Sequence, residues 1–336
     1  MSRLWAILLS LALAVPAATP AAAQAERPLA EAMQAMREGN WAAALIDSRG
    51  DGQPALDVIL WHYLRASRGD PSQIMDFIAR NPDWPGMPYL REKSEIAISE
   101  SGDMSIIRAF FDGYRPQTGA GALALARSYM AEGERGAAEA EVVLAWRTLA
   151  LSSEERSSFL SQWGDLLTAH HEARLDMALW QGWESNARAI MPLVGEDWRA
   201  LAEARIALRD MSPGVDGLIE KVPEALRDHP GLAYERFLWR VRKGRTADAV
   251  ALLLAHSKSA ETLGEPWAWA GRRDDIAHSM MLDGDYRTAY QVASTHHLSE
   301  GSDYAALEWL SGYLSLRFLD NPQRALRHFQ GHGGAV

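Results

Sequence analysis

Cysteine is absent from all 336 residues. That excludes disulfides, thiolate metal sites and a cysteine nucleophile. In an exported protein it also removes the risk of mispairing in an oxidising compartment. Strand signals are nearly missing too: no long period-two alternation occurs, and no Asn-Gly or Asp-Gly turn joins β-branched runs. Positive charge is in deficit, with 34 Lys and Arg against 44 Asp and Glu and a formal net charge of −10. So acidic a chain is ill suited to nucleic acid, whose affinity rests on cations at phosphates, and gains little from anionic lipid. No HExxH, P-loop or GxSxG motif is present. Histidines do pair, at His170–His171 and His296–His297. Adjacent helical residues point about 100° apart, so neither pair is a natural metal clamp, and a surface or capping role is the plainer reading. No metal or cofactor site is expected.

Long apolar runs are likewise scarce. One stretch, Leu4 to Val15, follows Arg3, is broken by Pro16 and Pro20, and leads to the small residues Ala21 to Ala23. This is the form of a secretory signal peptide over residues 1–23, cleaved near Ala23. The run is well short of the roughly 20 residues that span a bilayer, and no Cys follows it, so no stable membrane anchor is expected. The processed chain would begin near Gln24, carry a net charge of −11 once Arg3 is gone, and reside in a periplasm.

What the chain has in abundance is one corner. Gly-x4-Ala recurs at Gly39/Ala44, Gly133/Ala138, Gly182/Ala187, Gly244/Ala249 and Gly284/Ala289. Looser copies put Ile in the fifth place, at Gly69/Ile74 and Gly102/Ile107, and Asp320/Ala325 substitutes an acid for the glycine. A glycine can close one helix in the left-handed conformation, the next residue can cap a second helix, as Asp285 should, and the small alanine lets the two helices approach. Tyr286, Ala289, Tyr290 and Ala293 then fall on one helical face. Successive glycines 39, 69, 102 and 133 lie 30, 33 and 31 residues apart, the interval of stacked helical hairpins. The fold class expected is all-α: a TPR-like solenoid of antiparallel hairpins, continuous over residues 24–330. The end of the chain, FQGHGGAV, is too rich in glycine to continue a helix, so 331–336 is expected to be a tail.

Two clusters could hold a ligand. Trp267, Trp269, Arg272 and Arg273 open one helix and could stack on sugars or pair with carboxylates of a glycan or peptide, although such residues also serve as inter-helix packing. Arg236, Arg240, Arg242, Lys243 and Arg245 form a cationic strip that could take ligand carboxylates. The same cations suit the end of the helix that Gly244 closes, where they complement the dipole, and this reading is preferred.

The segments DWRALAEARIALRDMSPGVDGLIEKVPEAL (197–226), PGLAYERFLWRVRKGR (230–245) and YAALEWLSGYLSLRFLDNPQRALRHF (304–329) resemble the N-terminal superhelical region of soluble lytic murein transglycosylases. The resemblance implies a ring- or horseshoe-shaped superhelix in the periplasm, with peptidoglycan glycan strands as partner. In that family a lysozyme-like domain follows the superhelix and cleaves the glycan through a glutamate in a Glu-Ser motif, with Gly-Leu-Met-Gln further on. Here no Gly-Leu-Met-Gln occurs, and the two Glu-Ser pairs, Glu100–Ser101 and Glu184–Ser185, lack the motif's surroundings. No catalytic residue is carried over. The expectation is a superhelical domain without its catalytic domain, inactive alone, with truncation or a frameshift after about Phe329. It would act in peptidoglycan binding or positioning, or be a scaffold for the lysozyme-like domain. The alternative is a periplasmic TPR-like scaffold for a peptide or protein partner.

Overall fold

A computed structural model of the protein describes residues 27–333. The expected signal peptide and the last three residues of the expected tail lie outside the described residues. All regular structure in the described residues is helical. No helix there is long and apolar enough to cross a membrane. Where the sequence suggested one domain over 24–330, the chain divides into two compact units, ending at Leu90 and beginning at Arg91.

The first unit holds α1 (Pro28–Arg37), α2 (Trp41–Asp47), α3 (Gln53–Arg65), α4 (Pro71–Arg80) and the start of α5 (Met87–Glu100). Ala32, Ala44 and Ile59 form its centre, with Leu29, Met33 and Leu45 packed around them. Asp57, nearly buried on α3, accepts hydrogen bonds from Gln53, Arg80 and Asn81.

The second unit continues with α6 (Met104–Phe110), α7 (Gly119–Ala131), α8 (Arg135–Thr148), α9 (Ser153–Leu167), α10 (His171–Trp180), α11 (Glu184–Ile190) and α12 (Glu196–Arg209). It goes on through α13 (Val215–Lys221), α14 (Pro230–Arg242), α15 (Thr246–His256), α16 (Ala260–Leu263), α17 (Pro266–Leu282), α18 (Tyr286–Ser294), α19 (Ser302–Arg317) and α20 (Pro322–Gly333). Neighbours in sequence pack together, as α7 with α8, α14 with α15, α17 with α18 and α19 with α20. One core runs from Ala122 to Ile206, around Trp146 and Phe159. A second runs from Ala233 to Leu314, around Phe237 and Trp269. Leu201, Leu208, Val215 and Leu232 make a third cluster from α12, α13 and α14.

The repeated corner is a Schellman motif. At Gly133, Gly182, Gly244 and Gly284 the backbone is left-handed, with φ between 70° and 87°. The glycine N–H bonds the carbonyl three residues back, and the next N–H bonds the carbonyl five before it, as Asp285 does to Met280. Ala138, Ala187, Ala249 and Ala289 are fully buried at the other end of the spacing. Asp285 caps α18 by accepting from the Thr288 N–H. One looser copy reads differently. Gly69 is not left-handed; Ser67 is, at φ 56°, and Gly69 instead makes room for the Leu64 side chain. The expected tail is also corrected: α20 runs through Gly331 to Gly333. A side chain at Gly331 would meet the Tyr304 hydroxyl at 2.8 Å, so bare backbone is what lets α20 lie on α19, and packing outweighs the poor helix propensity of glycine.

A second repeat is invisible as a motif. In the second unit an arginine from one helix repeatedly donates to a last-turn carbonyl of another. Arg91 bonds the Phe110 carbonyl that ends α6, Arg174 that of Trp146 on α8, and Arg209 that of Leu179 on α10. Arg242 bonds the Arg209 carbonyl that ends α12, and Arg273 that of Val292 on α18. Arg174, Arg209, Arg242 and Arg273 lie 35, 33 and 31 residues apart, the hairpin interval again. Each clasp brings a cation to a carbonyl of a last turn, where the dipole favours one; that of Leu179 is shared with the Gly182 N–H of the corner.

Candidate functional site

The four residues expected to meet a ligand together are separated by the helix that carries them. Trp269 and Arg273, one turn apart on α17, are fully buried. The Trp269 ring packs on Tyr234 at 5.2 Å and Phe237 at 5.1 Å, and its N–H donates to the Leu263 carbonyl. Arg273 donates to the Val292 carbonyl, Thr295 and Ser257. Burial in this acid-free setting pulls its guanidinium down to about 10. Trp267 and Arg272 are exposed and tied to Glu265 and Asp275. These four therefore form no single contact surface; half of them are core.

The cationic strip fares differently. Arg236, Trp239, Arg240 and Lys243 follow the i, i+3, i+4, i+7 spacing of one face of α14. Three of them, with Arg245, open onto a cavity of about 290 Å³ whose other side is α13, bearing Asp216 and Glu220. Val215, Ile219 and Leu208 supply apolar lining. The face is anchored at its buried edge. Glu235, fully buried on α14 one turn before Trp239, pairs with Arg209 of α12. Arg205, also fully buried on α12, pairs with Asp176 of α10 at 2.5 Å. Burial raises the Glu235 carboxyl against the pull of Arg209.

Within the cavity only part of the charge is paired. Arg245 is bound to Asp248 at 2.5 Å, and Arg240 gives one N–H to the Asp248 carbonyl. Lys243 sits 5.6 Å from the centre of the Trp239 ring. No ion pair among the described residues joins Arg236 or Arg240 to Asp216 or Glu220. Burial, then the neighbouring Arg236, lowers the Arg240 guanidinium. Arg236, and Arg240 with only the nearby Asp248 acting against its charge, make a fork for carboxylates beside an indole platform, and the acids opposite can take an ammonium group. The preferred helix-end reading fits Arg240 and Arg242, which lie in the last turn of α14; Arg242 also clasps α12, and Arg236, Arg240 and Arg245 line a cavity as well. The signal was the four-residue face itself, and what hid its partner wall was that α13 comes from residues some twenty places earlier.

The remaining candidates for chemistry are engaged structurally. Glu100 and Ser101 are exposed, and Glu184 is bound to Arg188 at 2.6 Å on the surface. Glu95 is buried, and burial raises its carboxyl, a property shared with general acids. Its oxygens, however, accept from the N–H groups of Gln117 and Thr118 and from the Thr118 hydroxyl, so it serves as a cap for the start of α7. Of the expected surface or capping roles, the surface one is ruled out for His171, buried against Trp146, and for His296, buried and bonded to Glu308, while His296 also accepts from the Leu298 N–H. Among the described residues no group of three or more His, Asp or Glu side chains is placed to hold a metal. No protein-family model, no curated protein and no solved structure matches this chain.

Proposed function

We propose that this chain is a superhelical binding region of the soluble lytic murein transglycosylase type, acting in a periplasm to hold peptidoglycan rather than to cut it. The observation that carries the reading is the cavity between α13 and α14, where Arg236 and Arg240 hold no ion pair among the described residues, beside Trp239 and opposite Asp216 and Glu220. Cross-linking peptides of a cell wall bear both carboxylate and ammonium groups on short apolar stems, and a cavity with unpaired charge of both signs and an indole suits such a stem. The all-helical hairpin architecture agrees with the resemblance of residues 197–329. Positioning of wall strands for a lysozyme-like domain is the role this implies, and a periplasmic peptide or protein partner bearing the same groups is the competing occupant.

Purified protein incubated with isolated sacculi tests the proposal. Expected is sedimentation with the sacculi that falls as salt rises, is lost in the double variant Arg236→Gln/Arg240→Gln, and is accompanied by no release of anhydro-muropeptides. Failure of the wild-type protein to sediment overturns the assignment to peptidoglycan. Sedimentation that ignores the double variant overturns the cavity as the site.

A further inference from the structure

The corner where Asp320 replaces glycine opens onto a second cavity, of about 570 Å³, between α18 and the start of α20. It is independent of the site above. Arg287 and Tyr290 of α18 and Arg324 of α20 line it, with Asp320 and Phe318 from the connection between α19 and α20. Asp320 takes a left-handed φ of 46°, where Gly133, Gly182, Gly244 and Gly284 stand in their corners, and Asn321 caps α20 by accepting from the Arg324 N–H.

Arg324 is held in position for a ligand. Its Nε donates to the Ser315 hydroxyl at 3.0 Å, and its guanidinium lies 4.0 Å from the centre of the Tyr290 ring. No ion pair among the described residues engages Arg324 or Arg287, so two guanidinium groups outweigh the lone carboxylate of Asp320. That is a local positive site on a strongly acidic protein, and forked N–H donors of this kind select oxyanions.

Behind Tyr290 runs a chain of hydrogen bonds whose protons can be placed. The Leu298 N–H can only donate, and it points at Nδ1 of His296, 2.9 Å away. His296 therefore carries its proton on Nε2 and gives it to Oε1 of Glu308 at 2.9 Å. Glu308 also receives Nδ1–H of His328 on Oε2 at 2.9 Å. Burial alone would raise the Glu308 carboxyl, but these two imidazoles overcome that and hold it at about 2. It is a carboxylate at any ordinary pH. His328 is left with Nε2 facing the Tyr290 hydroxyl at 3.1 Å.

The state of His328 then decides what Tyr290 does. A neutral imidazole offers Nε2 as an acceptor, and the tyrosine spends its only proton there. A protonated imidazole donates from both nitrogens, so the tyrosine oxygen becomes the acceptor and its O–H is free to turn into the cavity. The groups facing this switch are Glu308 of α19, Tyr290 and Arg287 of α18, and Arg324 on the same helix as His328, with His296 beyond Glu308 and Tyr304 edge-on to His296 at 5.6 Å.

We propose that this cavity binds an oxyanion group, carboxylate or tetrahedral, through Arg287, Arg324 and the Tyr290 hydroxyl, and that protonation of His328 supplies the third donor and so tightens binding. Linkage requires the converse: a bound anion makes His328 easier to protonate.

The test uses the full protein and the His328 imidazole resonance as a local reporter, titrated with sulfate, which stays doubly charged between pH 5.5 and 7.5, and with acetate as the carboxylate arm. Expected is saturable binding at least about fivefold tighter at pH 5.5 than at 7.5, together with an upward move of the His328 titration midpoint at saturating anion. The stronger of the two anions identifies the ligand class. Tyr290→Phe should leave weaker binding that no longer tightens on acidification, and Arg287→Gln, an exposed position with little claim on folding, should weaken both anions at both pH values. Absence of saturable shifts from either anion at pH 5.5 overturns the proposal. So does an Arg287→Gln protein that binds as wild type, or an unchanged pH response in a folded Tyr290→Phe protein.

Discussion

The guanidinium of Arg205 occupies the space in which a side chain on Gly231 would begin. All three of its outer atoms lie within contact of that missing Cβ. Arg205 itself is fully buried on α12, paired with Asp176, and faces the Trp180 ring at 5.1 Å. The α12–α14 approach that builds the Arg236/Arg240 cavity thus depends on a glycine that no turn demands.

Gly231→Ala should therefore destabilise the protein by about 1–3 kcal/mol, the range for forcing volume into a packed interior. Urea unfolding followed by circular dichroism measures it. A change below about 0.5 kcal/mol would mean that α14 moves aside at little cost.

Trp267 and Trp269 should separate cleanly. Trp269→Ala empties a core position and is expected to cost about 3–5 kcal/mol, whereas Trp267→Ala on the exposed side should stay within about 0.5 kcal/mol. Equal effects in thermal or urea melts would contradict the burial described for α17.

The clasps predict that lysine cannot stand in for arginine. Arg273 reaches a carbonyl and two hydroxyls at once through a planar fork, without any acid nearby. Arg273→Lys retains the charge but not the fork and should lose about 2 kcal/mol, while Arg272→Lys on the surface should be silent. Denaturation midpoints of the two variants decide it.

Glu308 gives a pH dependence with a definite sign. Its carboxyl is lower in the folded protein, at about 2, than the ordinary 4.5. Its contribution is thus fully present above pH 4.5 and disappears as pH falls from 4.5 towards 2. Glu308→Gln should be less stable than wild type at pH 6 by about 2–3 kcal/mol, since two charge-assisted hydrogen bonds are lost, and the gap should narrow on acidification towards pH 3. A gap that is constant or widens would exclude the carboxylate as acceptor of both imidazoles.

In the α13–α14 cavity, Arg236→Gln/Arg240→Gln should lower retention on sacculi at least about tenfold at low salt without moving the melting temperature, because neither arginine holds an ion pair among the described residues. A drop in melting temperature of several degrees would show that these cations serve the helix rather than a ligand.

The corners were readable because their requirement is local. A positive φ at Gly284 and a close approach at Ala289 both call for small residues at a set spacing, whatever lies elsewhere. The departures came where a neighbour intervened. Gly331 sits inside a helix because Tyr304 and Glu308 press against it, and Ser67 rather than Gly69 turns the chain because Leu64 needs the space beside Gly69. The buried and exposed halves of the Trp267–Arg273 group could not be separated by eye, since tryptophan and arginine suit core and surface alike.

The arginine clasps were hidden for another reason. A helix-terminal carbonyl is a backbone group with no residue code, and its donor arrives from a different helix. The same holds for the chain from Tyr290 to His296, whose members lie on three helices and the segment between α18 and α19.

Periodicity and the small-residue corners settled, from the amino-acid order alone, that this polypeptide would be built of paired helices, because amphipathic faces and left-handed turns obey short-range rules. Which cations stay open to a ligand, which disappear into the core, and which histidine touches which carboxylate were decided only when distant helices met, because burial and proton position depend on neighbours that spacing does not encode.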